Sequence, residues 1–149
     1  MADNEHARRK ERRRDPEHVR FGERVRALAA EARRARESFE PPVDDGEDEG
    51  ATEGEGTAES KALAYARDGV GPVVALYIEA RTGGRMVEFT PEEFRLLERA
   101  LNDWLSLYVR CYGVEYDPEF TVREAAELLL RTHSALDTAQ LLTCVPARN

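Results

Sequence analysis

The sequence predicts an α+β domain: a β-hairpin packed on a long amphipathic helix, completed by two C-terminal helices. Three observations carry this. From Thr90 to Tyr112, apolar side chains recur in steps of three and four for about five turns. Upstream, Gly71–Thr90 reads as two short strands that place their apolar residues on one common face, on either side of a Gly-Gly pair. Downstream, Thr121 and Ser134 each stand where a helix cap is expected, ahead of an apolar-periodic segment.

In chain order, residues 1–14 contain a basic run, Arg8, Arg9, Lys10, Arg12, Arg13 and Arg14, which could serve as an electrostatic arm for nucleic acid or an acidic partner. Asp15 and Pro16 then read as cap and first position of a helix reaching about Glu40. Phe21, Leu28 and Ala35 fall seven apart, with Val25, Ala32 and Phe39 on the other seam, so this helix is a short coiled coil or lies on another element. The basic run followed by heptads resembles a bZIP factor, and Asn4 and Arg12 share that family's spacing, which implies DNA binding. In that family one continuous helix joins the two parts; here Asp15-Pro16 falls between them.

Residues 41–60 combine eight acids with prolines and glycines and carry no basic group. Such a composition reads as a disordered acidic linker that tethers the N-terminal helix to the domain downstream. Lys61–Arg67 reads as a short helix ended by Asp68-Gly69. In the hairpin, Val74, Leu76, Ile78 and Ala80 share one face, and Gly83-Gly84 form the turn. That register sets Val87 opposite Ala80 and Phe89 opposite Ile78, and pairs Glu79 with Glu88 on the other face. Because two strands are marginal alone, the long helix must cover them. It starts with a Thr90/Glu93 capping box and Pro91 at its first position, and Gly113 ends it. Its stripe is Phe94, Leu97, Leu101, Trp104, Tyr108 and Cys111.

Thr121 and Glu124 form a second capping box, and Ser134 caps a last helix before Pro146. The stretch from Thr121 to Leu142 resembles a helix-turn-helix, which implies a recognition helix in a DNA groove. That helix would present Asp137, Thr138 and Gln140, with no cation to meet phosphate. The organisation expected is therefore a basic N-terminal extension over 1–40, a linker over 41–60, an α+β domain over 61–146 and a tail over 147–149.

Charge and cysteine usage narrow the chemistry. The net charge is −8, but residues 1–40 carry a net +3 and residues 61–149 a net −3. Only Lys10 and Lys61 among the 22 basic residues are lysine, a balance that resembles proteins of salt-adapted organisms. No run approaches the ~18 apolar residues of a membrane span. No secretory leader is expected, and the free thiols expected at Cys111 and Cys144 fit a cytoplasmic chain. Cys111, His133 and Cys144 lack the short spacing of a zinc site, and no glycine-rich phosphate loop is present. No cofactor or catalytic residue is expected. The function expected is a non-catalytic interaction or regulatory protein that forms a homodimer through the hairpin edge or through the face of Phe94, Leu97, Leu101, Trp104 and Tyr108, with a further protein partner. The alternative is a nucleic-acid-binding regulator acting through Arg8–Arg14 or the C-terminal helices.

Overall fold

A computed structural model describes residues 16–41, 57–82 and 86–147. In chain order it contains α1 (Pro16–Glu37), α2 (Ala58–Tyr65), α3 (Gly71–Arg81), α4 (Pro91–Arg110), α5 (Val122–Thr132) and α6 (Ala135–Thr143). A π-helical turn, Ala66–Val70, joins α2 to α3. Among the described residues there is no strand, so the α+β expectation is overturned in favour of an all-helical fold.

The correction falls on the predicted hairpin. Its first strand is α3, which buries Val73, Val74, Leu76, Tyr77 and Ala80 at helical steps of three and four. Val73–Ile78 is apolar without a break, and such a run satisfies a period of 2 and a period of 3.6 equally well. Glu79 does not face Glu88. It accepts two hydrogen bonds from Arg24 of α1, at 3.2 and 2.9 Å, and Glu88 offers its backbone carbonyl to His18 Nε2. Gly83 and Gly84 lie outside the described residues. Val87 N–H does donate to the Ala80 carbonyl at 2.8 Å, but as a return of the chain over the end of a helix. With no ribbon there is no hairpin edge through which copies could pair.

Asp68-Gly69 does not end a helix either. Thr57 caps α2, its hydroxyl accepting from Ser60 N–H at 3.0 Å, and the backbone stays helical through the π turn to Arg81. Pro72 explains the local widening. In an unbroken α-helix its ring would crowd the carbonyl four residues back, and no N–H would answer that carbonyl. The looser turn just before it, in which Gly71 N–H reaches back to Ala66 O, gives the ring room. Gly69 lies flat on the indole of Trp104; a Cβ there would stand 2.3 Å from Trp104 Cδ2. Glycine is needed for that approach.

The rod formed by α2, the π turn and α3 runs antiparallel to both α1 and α4. Phe39 and Tyr65 meet at one end of α1, and Arg24 and Glu79 near the other. Tyr65 lies beside Trp104, and Tyr77 beside Phe94. Helices α1 and α4 run side by side in the same direction, with contacts advancing from Phe21–Phe89 through Gly22–Glu93 to Arg36–Asp103. Gly22 admits the Glu93 carboxylate, whose Oε2 would sit 2.3 Å from any Cβ at that position. Val25 and Ala32 of α1 are wholly buried, so the N-terminal helix is docked along α4 and its heptad residues form the docking face.

The capping and termination signals of α4 hold. Thr90 and Glu93 satisfy each other's backbone N–H groups at 3.1 and 2.8 Å, and Gly113 takes φ +78° while Val114 N–H closes back on Val109 O at 3.1 Å. The second capping box, Thr121 with Glu124, opens α5, and Ser134 caps α6 by accepting from Asp137 N–H at 3.0 Å. Asn102 ties the loop before α5 to α4, accepting from Phe120 N–H and donating to Phe120 O at 2.8 and 2.9 Å. The pair α5–α6 then closes over the rod, and Tyr108 donates to Val145 O at 2.6 Å.

Candidate interaction groove

Parallel packing of α1 on α4 uses one face of each helix and leaves a trench along one flank. On α1, Val25, Ala32 and Leu28 turn toward α4. Arg26, Ala30 and Arg33 fall roughly a quarter turn or more away, by the 100° step of a helix, and are exposed. On α4, Leu97, Ala100 and Leu101 are buried, while Leu96 is half-buried and Arg99 exposed. These flanks meet in a groove of about 280 Å³ lined by Arg26, Ala29, Ala30, Arg33, Leu96 and Arg99. Its floor is apolar, formed by Ala29, Ala30 and Leu96, and its banks are guanidinium groups.

The charges on those banks are largely unanswered. Neither Arg26 nor Arg99 has an ion-pair partner among the described residues. Arg33 sits 3.8 Å from Glu37, an exposed i,i+4 pair that contributes little. Arg36, by contrast, is committed. It donates at 2.8 Å to the buried Asp103 carboxylate and holds the end of α1 against the middle of α4. Arginine suits an interaction bank, because its planar fork stays charged and meets carboxylates with two hydrogen bonds.

Two larger grooves flank the segment Met86–Thr90. One, of about 390 Å³, lies between α1 and the end of α3; of its two arginines, Arg24 is bound by Glu79 and stacked over Phe21 at 5.2 Å, and Arg20 is exposed and shares the groove with Glu17 and Glu79. That hydrogen-bonded partner holds the Glu79 carboxyl below its ordinary pKa. The other, of about 380 Å³, is walled by Tyr77, Phe89 and Phe94, with Arg81 lying over the Tyr77 ring at 5.5 Å. Arg24 and Arg81 are thus engaged by this chain's own side chains, and the first groove carries the acids Glu17 and Glu79 beside its arginines.

Of the residues singled out from the sequence, Leu97, Leu101, Trp104 and Tyr108 lie in the core, and Phe94 is partly buried against it. The rod, α1 and the C-terminal helices already cover that face, so it offers no open surface to a second copy. Arg8, Arg9, Lys10, Arg12, Arg13 and Arg14 lie outside the described residues. The two predicted C-terminal helices form with a short turn at His133, and α6 carries no Arg or Lys. Cys111, His133 and Cys144 end three different helices, and no group of His, Cys, Asp and Glu among the described residues could hold a metal ion. Both cysteines are free. Burial pushes the Cys111 thiol up to about 11, against the weaker downward pull of Lys61, so it stays protonated at neutral pH.

Arg26, Arg33, Leu96 and Arg99 were not singled out from the sequence. Arg26 and Arg33 stand seven apart around Ala29-Ala30, which marks one helix flank. Nothing local pairs that flank with Leu96 and Arg99. No described helix is long and apolar enough to cross a membrane. A family model described as "Domain of unknown function (DUF8055)" matches residues 19–147, from the first turn of α1 past the end of α6. No curated protein and no solved structure matches the chain.

Proposed function

The chain belongs to the DUF8055 family, and from that premise we propose that it is a non-catalytic interaction protein that receives a protein partner in the groove between α1 and α4. One observation carries this reading. Two helices present a partly exposed apolar floor flanked by Arg26 and Arg99, and neither cation has an ion-pair partner among the described residues. Grooves between helices accept a further helix or extended segment through apolar anchors, with charged rims setting partner and orientation. The two free thiols suit a reducing, cytoplasmic setting.

A photo-crosslinking amino acid at Ala30, in the floor, tests the assignment in cells of the source organism. Covalent adducts with a protein partner are expected from position 30, and none from a control at Glu127 on the exposed side of α5. Equal adducts at both positions, or none at position 30, would remove the groove as the contact site.

A further inference from the structure

Resting on that reading, we infer that the occupant of the α1–α4 groove is an acidic amphipathic helix of a protein partner, with carboxylates two turns apart on either side of an aliphatic residue. The geometry sets each term. Arg26 and Arg33 lie on one bank seven residues apart, about 10.5 Å along the helix axis. Carboxylates at i and i+7 of a helix lying along the groove match that separation. Arg99 reaches from the opposite bank and closes the site on its second side. Between the banks, Ala29 and Ala30 bring the floor close to the α1 backbone, so an incoming helix can approach closely, and Leu96 offers the apolar contact.

The sign of the charge decides the class of partner. The chain as a whole is acidic, at −8, yet this trench carries three arginines; Arg33 pairs weakly with Glu37, and the Arg26 guanidinium borders Gly22 on the same side as the buried Glu93 carboxylate. A basic or neutral segment would leave Arg26 and Arg99 unanswered while covering them. An acidic one replaces their water with charge-assisted hydrogen bonds. Nucleic acid would also supply anions, but its phosphates do not offer a Leu-sized side chain to the Ala29–Ala30–Leu96 floor.

The test uses the full chain and three fluorescent probes at about 0.15 M salt. One is a helical 14-residue peptide with Glu at positions seven apart and Leu between them; the second is its Lys-for-Glu counterpart; the third is a 12-nucleotide single-stranded oligonucleotide. Anisotropy should show the acidic peptide binding at least tenfold tighter than either of the others. The pair Arg26→Glu and Arg99→Glu, both at exposed positions, should weaken it at least tenfold and should bind the Lys peptide instead. That swap also separates the groove from the Arg8–Arg14 run, which the variant leaves intact. The inference is overturned if the acidic peptide binds the variant as well as the parent, if the Lys peptide is preferred by the parent, or if the oligonucleotide binds the parent tighter than the acidic peptide and loses that affinity in the variant. Adducts at Ala30 with no acidic-peptide preference would defeat the acidic chemistry alone. Loss of the adducts would defeat the groove itself.

Discussion

Replacing Gly69 by alanine is expected to destabilise the fold by about 1–2 kcal/mol, although helix propensity argues the opposite sign. Alanine is favoured over glycine inside a helix by about 1 kcal/mol. At this position, however, a Cβ would lie 2.3, 2.6 and 2.7 Å from Trp104 Cδ2, Cε3 and Cγ. Optimal carbon–carbon contact is about 3.5–4.0 Å, so methyl or ring must retreat by about 1.2 Å. The ring is poorly placed to retreat. Trp104 is 6% exposed and has Tyr65 beside it, with ring centroids 6.0 Å apart. Overpacking of this kind costs about 1–3 kcal/mol, and the upper half of that range less the propensity gain leaves about 1–2 kcal/mol. Thermal and urea unfolding followed by far-UV circular dichroism, at one fixed salt concentration, would read it as a lower midpoint with unchanged slope. The decisive comparison is a double-mutant cycle with Trp104→Leu. Once the indole is gone, Gly69→Ala should become neutral or mildly stabilising. Gly69→Ala at or above the parent's stability, with Trp104 present, would falsify the packing argument for this glycine.

The same contacts set the outcome of other perturbations. Deleting residues 1–40 should lower stability by more than about 5 kcal/mol, because Val25, Leu28 and Ala32 leave the core and the α4 face they cover is exposed; calorimetry of full and truncated chains would check it. A deletion aimed at the basic arm should therefore stop before Pro16. Asp103→Ala should be better tolerated than Arg36→Ala, since the latter strands a buried carboxylate, with a difference of about 1–2 kcal/mol in chemical denaturation, discounted because Arg36 is 38% exposed. Thr90→Ala should cost about 1 kcal/mol and raise amide exchange in the first turn of α4. The Cys111 thiol is held above its ordinary 9.0, at about 11, by burial. Its contribution to stability is thus complete below about pH 9 and is lost as pH climbs toward 11, by about 2–3 kcal/mol at most. Cys111→Ala should flatten that alkaline loss in part, the remainder belonging to Tyr65, Tyr112 and Tyr116, whose phenols burial also raises. In the folded parent, iodoacetamide should label exposed Cys144 and spare Cys111.

What the sequence by itself determined is the set of elements whose signals are local. The α4 helix was legible from Thr90 to Gly113 because its caps, its proline and its apolar stripe all act within a few residues of one another. The same holds for the capping box at Thr121 and the cap at Ser134. The stretch Gly71–Arg81 was not legible, because an unbroken apolar run fits a strand and a helix alike, and because the π turn that accommodates Pro72 leaves no mark in composition. Tertiary packing decided that case: the rod from Ala58 to Arg81 has α1, α4 and α5 around it and buries Val73, Leu76 and Tyr77 in the shared core, whereas two isolated strands would have left half their backbone groups to water. Tertiary structure alone also docked α1, through a glycine that makes room for Glu93 and an arginine that reaches Asp103, each partner some 70 residues away. The groove inherits that distance. Arg26 and Arg33 can be read as one flank of one helix, but only the parallel packing of α1 on α4 brings Leu96 and Arg99 to face them.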